Sequence, residues 1–208
     1  MYDLYMYYNG SAIQFDTPVQ WSSPTTIPTH TVINGVSLNP ANTTRRLVCS
    51  FYAIGNNLTC DFPGGHCICN QQNRKTRTVS ASNQANWTYS GSTRPANGLS
   101  NSFANVGVGY VWFVSSDGTN VANLSSYSQV SIAGGSTIGG IGTGLTSAGN
   151  YQTGASVISC QSSAIACTMT NAATYELAPG FTSVNQYEST IAGSVQFFGT
   201  TITGTVEN

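Results

Sequence analysis

Met1-Tyr2-Asp3-Leu4-Tyr5-Met6-Tyr7-Tyr8 opens the chain and stops at the turn pair Asn9-Gly10. Seven of these eight residues are aromatic, leucine or methionine. Aromatic residues favour a β-strand, and a run this short cannot span a bilayer as a helix. It also lacks the basic start, long apolar middle and small-residue cleavage site of a secretory signal. So apolar a strand must dock. It either joins its own sheet or is given to the open sheet of a neighbouring subunit. In a neighbour, backbone hydrogen bonds and alternating pockets would hold Tyr2, Leu4, Met6 and Tyr8. Residues 1–15 are read as an N-terminal strand extension and residues 16–208 as the body.

The body continues in strands. Residues 11–15 and 19–21 read as short strands broken by Pro18, and residues 31–38 as one strand with a bulge at Gly35. Residues 46–70 read as a three-stranded meander turning at Gly55-Asn56 and Pro63-Gly64-Gly65. Residues 80–102 are poor in aliphatics and rich in Ser, Asn, Gly and Pro, which marks a long loop or weak edge and, if there are two domains, the place for a seam. Residues 103–114 form the strongest strand, apolar on both faces at its end, as a central strand must be. Asp117-Gly118 marks a hairpin turn. Seven glycines among isoleucines in residues 131–149 lack dinucleotide-motif spacing. They point to close backbone packing or a flat edge able to receive a strand. Further strands follow through residues 157–158, 165–169, 175–177 and 191–198. In residues 200–206, Ile202, Gly204 and Val206 alternate with threonines, the half-buried pattern. No segment keeps a helical period. The fold expected is all-β, a sandwich or jelly roll of many short antiparallel strands.

Composition agrees and removes several functions. Charged residues are 6% of the 208, against about 25% in ordinary domains. Hydrophobic residues at 40% and aromatics at 11% still allow a packed core. Serine and threonine together number 52, and lysine occurs once, at Lys75. A net charge of −1 offers no electrostatic case for nucleic acid or an anionic membrane.

Six cysteines, Cys49, Cys60, Cys67, Cys69, Cys160 and Cys167, allow up to three disulfides in an oxidising compartment. Cys60/Cys67 and Cys160/Cys167 share one spacing and would close two short loops. A zinc site from Cys60, His66, Cys67 and Cys69 is the rival reading, weakened by the lack of paired C-x-x-C ligands. Five sequons, at Asn9, Asn42, Asn57, Asn86 and Asn123, would let glycans supply the solubility that charge does not.

Catalytic material is sparse. There is no G-x-S-x-G elbow, and His30 and His66 read as surface or turn residues. Glu176 and Glu188 read as solvent-facing strand ends rather than a glycosidase pair. Trp21, Trp87 and Trp112, or the Asn/Asp turns, are the candidate sugar-binding elements. The reading is a protein without enzymatic activity and without a cofactor or a resident metal.

An apolar leading strand, a Thr/Ser/Gly-rich all-β body and very little charge together resemble the donor-strand-exchange filament subunits: archaeal thread and bundling-pilus subunits and bacterial chaperone-usher pilins. The resemblance implies an extracellular, cell-surface homopolymer used for adhesion or cell–cell contact. In it residues 2–8 of each identical subunit would complete the next. A viral capsid or surface jelly-roll protein is the alternative, and a secreted carbohydrate-binding module or glycosidase the third.

Overall fold

The computed structural model describes residues 1–70, 72, 74–92, 94–115, 120–132, 138–147, 150–154, 166–191 and 193–207. The strands are β1 (Tyr2–Tyr8), β2 (Ile13–Phe15), β3 (Val19–Gln20), β4 (Thr31–Ile33), β5 (Val36–Asn39), β6 (Asn42–Phe51) and β7 (Ala53–Gly55). Next come β8 (Leu58–Thr59), β9 (Asp61–Phe62), β10 (Gly65–His66), β11 (Ile68–Cys69), β12 (Thr76–Tyr89), β13 (Arg94–Pro95) and β14 (Tyr110–Ser115). The last are β15 (Val121–Ile132), β16 (Ile138–Ser147), β17 (Asn150–Gly154), β18 (Ala166–Glu176), β19 (Gly180–Ile191) and β20 (Val195–Glu207). Helical structure is limited to two short 3-10 turns among the described residues. The all-β expectation holds.

A four-stranded sheet, β12-β20-β15-β18, faces a sheet running β17-β16-β19-β14-β10-β9, with β13 added to β19. Their shared core joins Val79, Ala81, Leu124, Tyr175, Ile202 and Val206 to Val111, Phe113 and Val184. That is a β-sandwich. On the four-stranded sheet the outward positions carry Thr78, Ser125, Thr170, Thr203 and Thr205, while Ala122, Leu124 and Ile202 point inward. Hydroxyls thus wet this face where most proteins use charge.

A third sheet, β2-β1-β6-β5-β4, with β3 on β1 and β11 on β6, holds the N-terminal strand. Met1 and Trp21 from this part pack with Cys60, Cys67, Cys69, Val106, Tyr110 and Trp112. The segment after β3 docks on β19. Phe181 N donates to Pro24 O at 3.0 Å, and a Cβ on Gly180 (φ +103) would collide with that carbonyl.

Several expectations change. Residues 31–38 are not one bulged strand but the hairpin β4–β5, because Asn34 (φ 51) and Gly35 (φ 77) form a left-handed turn. Asn-Gly is the strongest two-residue hairpin signal. The 46–70 meander is divided: β6 and β11 lie in the N-terminal sheet, β7 and β8 pair with each other, and β9 and β10 join the sandwich. Much of the supposed loop at 80–102 is strand β12, paired along β20 from Thr76 to Tyr89. Its small inward residues, Val79 and Ala81, meet the core while polar ones alternate outward. The glycine-rich β16 is no edge, since β17 and β19 flank it. Residues 103–105 form a turn, leaving β14 as the buried strand. Residues 191–198 and 200–206 contribute to one strand, β20. The 157–158 strand and the Asp117-Gly118 turn lie outside the described residues.

Candidate functional site: the two faces of the N-terminal sheet

Strand β1 turns at Asn9-Gly10, where Asn9 Oδ1 accepts from Ser11 N (3.0 Å) and Ala12 N (2.9 Å). It therefore returns as β2, pairing Tyr8 with Ile13 and Met6 with Phe15. On its other side β1 pairs with β6, placing Tyr2 opposite Phe51 and Leu4 opposite Cys49. The strand read as a gift to a neighbour is thus placed between two partners of its own chain. Alternation puts Met1, Asp3 and Tyr5 on the inner, buried face and Tyr2, Leu4, Met6 and Tyr8 on the outer one.

The inner face holds a polar knot. Ser50 Oγ donates to Asp3 Oδ1 at 2.6 Å, His30 Nε2 lies 2.8 Å from Asp3 Oδ2, and Tyr5 Oη stands 3.5 Å from the same oxygen. Asp3 is fully buried. Burial, with the Asp3 charge added, pushes the Tyr5 hydroxyl well above its usual range, so it remains a donor. The order is Ser–Asp–His, with the carboxylate in the middle. A nucleophilic relay needs the imidazole against the serine, so this trio fastens β1 to β6 and to the segment bearing His30. His66 is likewise bonded, through Nδ1 to Asp61 Oδ1 (2.8 Å) and Nε2 to Thr78 O (3.0 Å). Both histidines, expected at the surface or in turns, tie segments together with side chains only 8% and 9% exposed.

Cys60 and Cys67 form a disulfide. The joined pair removes two of the four ligands a zinc site there would need. Cys49 and Cys69 remain thiols. Burial pushes Cys49 up to about 11, with the charges of Asp3 and Cys69 adding to it. The Cys160–Cys167 pairing lies outside the described residues. All five sequon asparagines, Asn9, Asn42, Asn57, Asn86 and Asn123, are exposed.

The supposed sugar platforms are not open. Trp21 and Trp112 are core residues, and Trp112 Nε1 donates to Asn101 Oδ1 at 2.9 Å. Trp87 stacks on Phe197 with centroids 5.3 Å apart and donates to Glu188. Glu176 is exposed, but Glu188, expected in solvent, is buried on β19. Arg94 Nε meets Glu188 Oε1 at 2.7 Å. Burial pushes the Glu188 carboxyl up, and the hydrogen bonds from Arg94 and Trp87 pull it partly back. With a raised folded-state pKa, its contribution to stability is full below the unfolded value and lost as pH rises through the folded one. Glu188→Gln cannot ionise. Urea melts between roughly pH 4 and 8 should show the wild type losing stability relative to Glu188→Gln as pH rises. Parallel profiles would refute this account of the carboxyl.

The outer face is apolar and uncovered. Around Met6 it gathers Tyr8, Ile13, Phe15, Leu38, Val36 and Ile33, brought together by the pairings of β1 with β2 and β6 and of β5 with β4 and β6. Tyr8 is 67% exposed, Ile13 68%, Phe15 66% and Ile33 48%. Arg46, opposite both Met6 and Leu38, sets one exposed charge between them. About 13 Å from Met6 along β1, Tyr2 and Phe51 stack at 5.5 Å in a cleft bounded by the β7–β8 hairpin. Sequence reading found the β1 residues of this face but not their company, because β2, β4 and β5 reach them only through pairing.

No family model matches the chain, and no curated protein matches it. Among solved structures it is similar to the infectious bursal disease virus VP2 subviral particle, at 11% identity and a TM-score of 0.41, over 68% of this chain and 38% of that one. The Gx strain of the same virus gives 13% and 0.43, over 100% of this chain and 55% of that one. T=1 particles derived from the virus give 11% and 0.43, over 94% and 44%. The chain spans between 38% and 55% of the length of these three. At such values the likeness assigns no function. Among the described residues no helix is long and apolar enough to cross a membrane.

Proposed function

We propose that the chain is a structural subunit that assembles with copies of itself into a particle or shell, such as a viral capsid, in an oxidising setting. The contact is the Met6 end of the outer face of the N-terminal sheet. One observation carries this: three large side chains on the adjoining strands β1 and β2, each about two-thirds exposed, with half-buried Met6 beside them and Leu38, Val36 and Ile33 on β5 and β4 beyond Arg46. Together they present about 600 Å² of apolar surface, the upper end for a monomer. A standard subunit contact takes about 800 Å² from each partner, so this patch supplies most of one. In a chain with only 13 charged residues (6 basic and 7 acidic), little else keeps such a patch from non-specific association. A defined homotypic contact resolves that hazard. The Cys60–Cys67 disulfide supports a compartment where thiols oxidise.

The expected result is a concentration-dependent oligomer or particle in sedimentation velocity and negative-stain images of the full chain. A monomer at all concentrations up to roughly 100 μM would overturn the proposal, because a contact of this size is worth micromolar affinity or better. Filament formation by strand donation is tested in the same preparation. Leu4 faces Cys49 directly, so Leu4→Cys under mild oxidation should form a bond within one chain. On a non-reducing gel it then runs as a monomer. A ladder of covalent multimers would instead mean that β1 is exchanged between subunits.

A further inference from the structure

The second feature of the outer face is the cleft of about 580 Å³ at its Tyr2 end. Its floor is the stacked pair Tyr2 and Phe51, the rings inclined by 20°. Pro18 and Leu58 form its walls, and Asn56 and Asn57 stand on the rim at the turn of the β7–β8 hairpin. Asn57 adopts a left-handed conformation (φ 58), which gives the hairpin its sharp tip. None of the lining residues carries a charge. The side-chain amides of Asn56 and Asn57 form no hydrogen bond within the described chain, so two donor-and-acceptor groups stand ready at the cleft mouth.

We propose that this cleft binds a neutral saccharide. Its volume suits one or two sugar rings, within the range of small-molecule sites. A ring face that the Tyr2–Phe51 stacking leaves free would meet the C–H side of a pyranose, whose hydrogens carry the complementary partial charge. The rim amides match ring hydroxyls as both donors and acceptors. A charged ligand would find no counter-charge here, and a purely apolar one would make no use of the rim amides. The site is separate from the subunit contact, which lies at the Met6 end, and does not depend on it.

The test is a ¹H–¹⁵N NMR titration of the full chain, produced without N-glycans so that Asn57 is bare. The probes are oligosaccharides of glucose, galactose and N-acetylglucosamine. The expected result is a saturable shift of the Phe51, Asn56 and Asn57 signals for at least one probe, with a Kd of roughly 0.1–10 mM. Phe51→Leu should weaken it about ten-fold. The double change Asn56→Ala with Leu58→Ala, at the exposed hairpin tip, should weaken it similarly while leaving the rest of the spectrum in place. Ile13→Ser with Phe15→Ser, which addresses the subunit contact, should leave the affinity unchanged. Absence of saturable shifts for every probe up to roughly five times the weakest expected Kd would overturn the proposal. So would undiminished binding in the hairpin-tip variant.

Discussion

Replacing Asp3 by alanine is expected to lower the thermal midpoint by about 10 °C. The carboxylate is fully buried and accepts from Ser50 at 2.6 Å, with His30 2.8 Å away. Removing it strands the Ser50 hydroxyl and the His30 ring in a buried site. Losing one member of a buried, hydrogen-bonded group costs about 3 kcal/mol or more. For a chain of this length each kcal/mol moves the midpoint by about 2–4 °C. Asp3→Asn keeps one acceptor for Ser50 and should recover part of the loss. Calorimetry of the three proteins decides the matter. If Asp3→Ala melted within about 2 °C of the wild type, the polar knot would not be what fastens β1. The neighbouring Tyr5 should report the same change, since its hydroxyl is held high by burial first and by the Asp3 charge second.

The second large effect is on assembly. Ile13→Ser combined with Phe15→Ser should weaken self-association by at least about 100-fold while leaving monomer stability nearly unchanged. Both side chains are about two-thirds exposed in the single chain, so they contribute little to its own core. Buried in a contact, each would contribute about 1.5–3 kcal/mol, and the pair about 3 kcal/mol or more. A concentration series in sedimentation velocity reads this directly. Should the double variant assemble as the wild type does, the contact lies on another surface. An unchanged melting curve would show that the variant is folded.

The structure also shows where a sequence reading loses its grip. Strand β19 is buried from Thr182 to Glu188, yet it includes Thr182, Ser183, Asn185, Gln186 and Glu188. Nothing in that polar run announces a central strand. Its burial comes from β14 and β16 on either edge and from layers on both faces. Three of these side chains find partners in distant sequence: Asn101 Nδ2 donates to Ser183 at 2.9 Å, Gln186 Nε2 to Tyr127 O at 3.3 Å, and Arg94 to Glu188, while Asn185 is buried with no side-chain partner among the described residues. A buried glutamate is tolerable only with such partners, and a one-dimensional pattern does not reveal them. The Asn34-Gly35 turn is the opposite case. Asn-Gly is itself the signal for a two-residue hairpin, and a hairpin forms where the strand pattern alone suggests a bulge.

Alternation, low charge and the absence of a helical period were enough to determine an all-β chain with a threonine-faced sheet. They were also enough to mark Met1 to Tyr8 as a strand that had to be sheltered. Those features are local, set by side-chain period and backbone preference. The tertiary structure alone showed which strands of the same chain flank it, which of its faces they leave bare, and that Tyr2 meets Phe51 while Met6 meets Phe15. Pairing register joins residues far apart in the chain, and shifting it by one residue exchanges the two faces of a strand.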